Sequence, residues 1–241
     1  MSNTKTRTWN KLTELGIQYK TDKAYFHLFT EFYQPYFDTF VDKPINILEI
    51  GVSEGNSLLL WKSFFPEATI YGIDVNADCA NLKLGDGIHV YTCSQDDFTR
   101  MSELFENKKF DIIIDDGSHL CSHQQKSFGF LFPYLNPNGI YVCEDLHTSY
   151  KSGYIDTTLS TMQVLENYQK NKRISSYVLD DAQKEYLNQH ISEMTIFKRK
   201  ENAIMCHRCK KINDENKEFC IVCRTILSPL DKSITSVIIH N

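Results

Sequence analysis

Two short stretches of the chain concentrate side chains able to do chemistry. The first, Phe110-Asp111-Ile112-Ile113-Ile114-Asp115-Asp116-Gly117-Ser118-His119, is an apolar run ending in two carboxylates, a glycine and an imidazole. The second, Ile140-Tyr141-Val142-Cys143, runs directly into Glu144-Asp145. If both runs are adjacent parallel strands, Asp116, Glu144 and Asp145 meet at one sheet edge. Three carboxylates in one cleft repel one another unless a cation neutralises them, and an all-oxygen ligand set favours Mg²⁺ or a similar hard ion. Such an ion would hold substrate hydroxyls and lower their pKa, leaving His119 to remove the proton. The resulting alkoxide could attack an electrophilic methyl group. The plainer reading stands beside this one: Asp115 and Asp116 cap the following helix, and His119 is a surface residue of its first turn.

A group-transfer site also needs a place for the donor. The run Ile45-Asn46-Ile47-Leu48-Glu49-Ile50 leads into Gly51-Val52-Ser53-Glu54-Gly55 and then a helix-like segment over residues 56–65. Strand, glycine loop and helix together place backbone N–H groups at the carboxyl edge of a sheet, where open α/β folds bind nucleotide-like ligands. A dinucleotide wants G-x-G-x-x-G, but Ser53 stands at the second glycine position. S-adenosylmethionine carries no phosphate and tolerates this looser, more acidic loop. Asp74 ends the next strand 25 residues after Glu49, where a carboxylate can accept both hydroxyls of an adenosine ribose. Gln95, in Ser94-Gln95-Asp96-Asp97, follows the third strand and could bond an adenine amino group; the same tetrapeptide also reads as a helix N-cap.

The elements that must position these residues follow from periodicity. Apolar runs at 69–73, 88–92, 110–114 and 140–143 alternate with polar or helical segments, which predicts an α/β fold with a doubly wound, Rossmann-like parallel sheet. Residues 1–42 form a helical N-terminal segment whose aromatics recur at three and four, with a break expected at Pro35. Residues 43–198 form the main domain, with a helix over 159–170 and a strand over 193–197. Residues 199–227 form a small cysteine-bearing module, and 228–241 a strand or tail. The β-branched run 234–239 could return to the main sheet, which would make the module an insertion.

Several of these residues together resemble the metal-dependent macrolide-sugar O-methyltransferases of the mycinamicin and tylosin type, which are class I S-adenosylmethionine-dependent enzymes. The resemblance rests on Glu49-Ile50-Gly51, on Asp115-Asp116-Gly117-Ser118-His119, on Ser127-Phe128 to Leu131-Phe132-Pro133 with Leu135-x-Pro137-x-Gly139, and on Glu144-Asp145-Leu146-x-Thr148-Ser149-Tyr150. It spans residues 21–154 and includes Thr21-Asp22-Lys23 and His27. It implies that Asp116, Glu144 and Asp145 ligate Mg²⁺, that His119 is the general base on a sugar hydroxyl, and that Glu49, Gly51, Asp74 and Asp115 contact S-adenosylmethionine. The segment carrying Lys23 and His27 looks like the part that covers cofactor or acceptor in this family; a packed helix pair is the simpler alternative. The sequence departs from the family in three ways: it does not include the large N-terminal domain, it diverges after Gly153-Tyr154, and it carries the cysteine module.

The eight cysteines divide into two unlike sets. Cys79, Cys93, Cys121 and Cys143 are scattered singly and read as small buried hydrophobes. Cys206-x-x-Cys209, ten residues, then Cys220-x-x-Cys223 form two knuckles able to present four thiolates, the arrangement of a structural zinc ribbon with no open coordination position. The 241 residues carry 26 Lys+Arg against 31 Asp+Glu, and the net charge of -5 argues against wholesale wrapping of nucleic acid or adhesion to an anionic membrane. No apolar run reaches the roughly 18 residues of a membrane helix, and the polar start of the chain resembles no export signal, so a cytoplasmic location is expected.

The sequence thus predicts an S-adenosylmethionine- and Mg²⁺-dependent O-methyltransferase acting on a sugar, glycan or glycosylated small molecule, with a structural zinc. One alternative is a catechol-like diol acceptor; another is a non-catalytic adaptor whose ribbon binds a protein or RNA. The intact set Asp116, His119, Glu144 and Asp145 speaks against the adaptor. The ribbon favours a protein partner over nucleic acid, since residues 198–224 contain Phe219 as their sole aromatic. A homo-oligomer is compatible with the sequence.

Overall fold

The computed structural model describes residues 8–199, 206, 211, 213, 219–225 and 233–241. Seven strands form one sheet in the order β3-β2-β1-β4-β5-β7-β6: β1 (Asn46–Ile50), β2 (Thr69–Asp74), β3 (Ile88–Thr92), β4 (Phe110–Asp115), β5 (Leu135–Cys143), β6 (Ile191–Lys198) and β7 (Ile234–His240). The first five are parallel, and β7 pairs antiparallel with both β5 and β6. The sheet is therefore the predicted doubly wound arrangement with an antiparallel pair at one side. The strand order reverses between β1 and β4, and open α/β sheets bind ligands at the carboxyl edge beside such a switch.

Strand alternation sorts side chains between two cores. Along β4, Ile113 packs on one face while Ile112 and Ile114 pack on the other; along β1, Leu48 and Ile50 oppose Ile47. Near-continuous burial on both faces is what a parallel strand with helices on each side requires. By the same period, Glu49 follows Ile47 toward Trp61, and Asp115 follows Ile113 toward Tyr141.

The helices on the Glu49 face are α1 (Lys11–Gln18), α2 (Asp22–Tyr25), α3 (Thr30–Phe37) and α4 (Asn56–Phe64). Asn10 caps α1 by accepting from the Thr13 N–H at 2.8 Å. The N-terminal segment does not break at Pro35, which lies inside α3. The chain turns instead at Lys20 (φ 59°) and Leu28 (φ 57°). Pro35 removes one N–H near the end of a short helix, and the aromatic stripe of Phe29, Tyr33 and Phe37, fully buried, holds the helix regardless. On the opposite face lie α5 (Phe98–Leu104), α6 (Cys121–Leu131), α7 (Thr161–Asn171) and α8 (Asp181–His190). Capping boxes at Ser160/Gln163 and Asp180/Gln183 start the last two.

Strand β7 is inserted between β5 and β6, with Cys143 opposite Ser236 and Lys198 opposite Ile234. The cysteine-bearing residues therefore lie between β6 and β7 in the chain, and the ends of those strands face the carboxyl edge of β5. Among the described residues no helix is long and apolar enough to cross a membrane.

Candidate active site

The parallel pairing of β4 with β5 aligns Asp115 with Cys143, so Asp116 and Glu144 leave the sheet side by side. Backbone bonds fix this edge: the Asp116 N–H donates to Ile50 O at 3.0 Å, and the Glu144 N–H to Asp115 O at 2.9 Å. Asp116, His119 and Asp145 each present one ligand-type atom, all within 4.8 Å of one another. His119 (φ 59°) and Asp145 (φ 53°) both adopt left-handed backbone, a conformation costing about 1–3 kcal/mol at a non-glycine residue. The fold imposes that strain where the polar groups converge. Asp145 Oδ1 and His119 Nδ1 are buried and make no hydrogen bond among the described residues. Burial drives the Asp145 carboxyl up to about 8, with Asp116 adding and Lys23 opposing. Burial likewise lowers the His119 imidazole, although Asp116 pulls the other way. A buried Asp145 carboxylate oxygen without a hydrogen bond among the described residues, close to Asp116, fits a hard, oxygen-preferring cation.

A second cation site is already filled from within. The Lys23 ammonium, 1% exposed, bonds Asp116 Oδ2, donates to Glu144 Oε2 at 2.8 Å and lies 3.2 Å from Glu49 Oε1. Burial works to lower the Lys23 pKa, but Asp116, Glu144 and Glu49 outweigh it and hold the ammonium well above the ordinary lysine value. Burial in turn pushes the Glu144 and Glu49 carboxyls up, with Lys23 opposing. Glu144 Oε1 accepts from the Tyr33 hydroxyl at 3.0 Å, so in this conformation both its oxygens are engaged by the N-terminal segment.

The glycine loop separates two cavities. One of about 280 Å³ is lined by Thr21, Lys23, Tyr25, Ser53, Asn56 and Asp116 among others; the second, of about 320 Å³, is lined by Ile73, Asp74, Val75, Gln95, Ser118 and His123 among others. Gly51 borders both, at φ 89°, and a Cβ there would stand 2.1 Å from Asp116 O. The loop is held by Asp74, which accepts from the N–H groups of Val52 (2.8 Å), Ser53 (3.0 Å) and Asn76 (2.8 Å).

Of the residues predicted to contact a cofactor, Gly51, Asp74 and Gln95 line these cavities, whereas Glu49 and Asp115 are fully buried behind them. Glu49 accepts from Trp61 Nε1 at 2.8 Å. Asp115 accepts from Gln95 Nε2 at 2.6 Å and from the Tyr141 hydroxyl at 3.1 Å, and burial pushes its carboxyl up to about 7. The other end of the Gln95 amide accepts from the Ser118 N–H at 2.9 Å, tying the third strand's loop to the Asp-Asp-Gly-Ser-His turn. Tyr33 and Tyr141 escaped the sequence reading because an aromatic in an apolar stripe looks like packing; only the fold aims their hydroxyls at carboxylates.

Cys79, Cys93, Cys121 and Cys143 are buried, and burial drives the Cys93 thiol up to about 11. Cys206, Cys220 and Cys223 bring their sulfurs within 4.8 Å of one another, while Cys209 lies outside the described residues.

Residues 48–146 match the family model described as a methyltransferase domain. The chain is 39% identical over 157 residues to 8-demethyl-8-(2-methoxy-alpha-L-rhamnosyl)-tetracenomycin-C 3'-O-methyltransferase of Streptomyces olivaceus, covering 59% of this chain and 38% of that protein. It is 38% identical over 154 residues to mycinamicin VI 2''-O-methyltransferase of Micromonospora griseorubida, again 59% of this chain and 38% of the relative. The chain thus spans well under half the length of these relatives. Among solved structures it resembles MycE methyltransferase from the mycinamycin pathway in complex with Mg and SAH, with TM-score 0.67 and 30% identity, covering 79% of this chain and 53% of that one. An O-methyltransferase from Bacillus cereus, 13% identical with TM-score 0.53, shares the fold alone. The matched region runs from β1 through the Glu144-Asp145 edge and includes the glycine loop between the two cavities and every predicted acid.

Proposed function

We propose that the chain is an S-adenosylmethionine- and Mg²⁺-dependent O-methyltransferase whose acceptor is a hydroxyl of a sugar, glycan or glycosylated small molecule. The observation that carries the reading is the convergence of Asp116, His119 and Asp145 at the sheet edge beside Gly51. The relatives named above are O-methyltransferases of a rhamnosyl-tetracenomycin and of mycinamicin VI, and MycE has been crystallised with Mg, SAH and mycinamycin VI. S-adenosylmethionine would span the two cavities across Gly51, with Asp74 and Gln95 on the adenosine side. Asp116, Glu144 and Asp145 would supply carboxylate oxygens to Mg²⁺. Glu144, whose Oε2 is held by the Lys23 ammonium, would join them where a divalent ion took the place of that ammonium. The bound ion supplies acidification and orientation of acceptor hydroxyls. His119, kept neutral by burial, takes the acceptor proton, and the oxygen displaces the thioether in line as its electron pair forms the new C–O bond. A structural zinc in the cysteine module completes the proposed metal content.

Incubation with methyl-labelled S-adenosylmethionine and a panel of nucleotide sugars, glycosylated polyketides, catechols and RNA is expected to label a sugar hydroxyl, with the label lost in excess chelator. Full activity in chelator would remove the metal from this account, and labelling confined to catechols or RNA would remove the sugar. Gly51→Ala is expected to abolish detectable donor binding in calorimetry and to cost about 1–3 kcal/mol of stability, because neither the positive φ nor the Asp116 carbonyl leaves room for a methyl group.

A further inference from the structure

The chain leaving Asp145 ends beside His119 with apolar side chains turned outward. Three successive turns of one kind carry it there: the Thr148 N–H donates to Asp145 O at 2.9 Å, the Lys151 N–H to Thr148 O at 2.8 Å, and the Tyr154 N–H to Lys151 O at 3.0 Å. Each bond reaches back three residues, the tight 3₁₀ pattern. The inner side of this ramp is pinned in the core. The Thr148 hydroxyl donates to Asp145 O at 2.7 Å, and Ser149 Oγ accepts from the Met162 N–H at 3.1 Å; both residues are buried.

The far end of the ramp is tied back to the helix that follows His119. The Cys121 N–H, first in α6, donates to Tyr154 O at 2.9 Å. Asp156 accepts both the Ser122 N–H, at 2.8 Å, and the Ser122 hydroxyl. These bonds set the Tyr154 ring against His119, with ring centroids 6.4 Å apart and planes inclined at 45°. His119 Nε2 in turn lies 3.6 Å from Asp145 Oδ2, where the ramp began. Tyr154 is therefore held at a fixed distance from the base.

The outer side of the ramp stays open. Tyr150 is 61% exposed and Ile155 40%, Tyr154 is half-buried, and a Cβ at Gly153 would meet nothing within 4 Å. Isolated apolar residues on a surface are ordinary, but a firmly anchored loop that keeps several of them in solvent beside a buried histidine forms a contact surface. Tyrosine offers a broad, rigid apolar face that loses little conformational entropy on contact. A pyranose has the matching shape, with C–H groups on its faces and hydroxyls around its rim. Resting on Tyr154 at the usual contact distance of about 4 Å, such a ring holds a rim hydroxyl within reach of the neighbouring imidazole. We propose that the face of Tyr154 is the acceptor platform and carries the pyranose whose hydroxyl receives the methyl group, an assignment that rests on the sugar O-methylation proposed above. Asp156 is a positioning residue that holds the platform through Ser122.

Saturation-transfer NMR of the full chain in Mg²⁺-containing buffer, with a panel of methyl pyranosides and catechol and no donor, is expected to show pyranoside binding with the strongest transfer to C–H protons of one ring face. Tyr154→Ala should raise the dissociation constant of the best-bound pyranoside by about fivefold or more, and Tyr154→Phe should keep it within about twofold of the unaltered protein, because the ring and not the hydroxyl makes the contact. Asp156→Ala should weaken the same binding with Tyr154 in place. All three variants should keep the donor affinity of the unaltered protein in calorimetry, since neither position borders a cavity beside the glycine loop. Unchanged pyranoside binding in Tyr154→Ala, or a loss equally large in Tyr154→Phe, overturns the platform, as does an unaltered protein that binds catechol in preference to every pyranoside or binds none of them. Unchanged binding in Asp156→Ala overturns the positioning role. Failure of the unaltered protein to bind S-adenosylmethionine would count against the methyltransferase reading alone, since pyranoside binding is measured without it.

Discussion

Replacing His119 with alanine is expected to lower turnover by about 10²- to 10⁴-fold, the usual contribution of a positioned general base. The side chain stands at the meeting point of the acids, with Nε2 3.6 Å from Asp145 Oδ2, and burial has lowered its pKa. A base must be unprotonated to act, so turnover of the unaltered protein should rise with pH to a plateau, with a midpoint below the ordinary histidine value near 6.5. In His119→Ala that rising limb should disappear along with most of the rate. Donor affinity should persist, because His119 borders neither cavity beside the glycine loop. Rates measured under saturating donor, with calorimetric donor binding alongside, separate the two effects. A variant that turns over within about tenfold of the parent would take the proton-transfer role away from His119.

Lys23→Met is expected to produce the largest loss of stability of any single substitution at the site, about 3–5 kcal/mol. The methionine keeps most of the side chain's volume, so what is lost is charge. Glu49, Glu144 and Asp116 would then face one another with no ammonium between them. The pH dependence gives the signature. Burial already raises the folded-state pKa of Glu49 and Glu144, so the folded protein holds protons there that the unfolded chain has released. Stability from that source is present at low pH and falls as pH rises toward the folded value. Removing Lys23 raises those values further and widens the interval. The deficit of Lys23→Met should therefore be greater at pH 8 than at pH 5.5 in urea unfolding, and added Mg²⁺ should recover part of it. A deficit independent of pH, or none at all, would mean that the ammonium does not neutralise this cluster.

These two residues also mark what could be read from the chain before its fold. His119 follows an apolar strand and two acids, and a strand ending so polar signals a site without any tertiary information. The glycine loop and the parallel sheet were equally open to reading, because each rests on local spacing: a period of two in strands and glycines where a backbone must turn. Lys23 could be noted within Thr21-Asp22-Lys23, yet its ammonium lies between acids 93 and 121 residues away in sequence.

Long-range placement was decided by tertiary structure alone. Local periodicity assigned each strand a face, which is why Asp116 and Glu144 could be expected together. It could not determine that Glu49 and Asp115 point into opposite buried layers behind the cavities, nor that Tyr33 and Tyr141 carry hydroxyls onto acids. It left open whether the cysteine module trails the chain or interrupts it. Strand β7 enters the sheet antiparallel beside β5, because a buried apolar strand finds its hydrogen-bond partners only at the open edge of the sheet. Residue type and spacing thus determined which groups could do chemistry; which of them face one another, and which face inward, depended on packing between elements far apart in the chain.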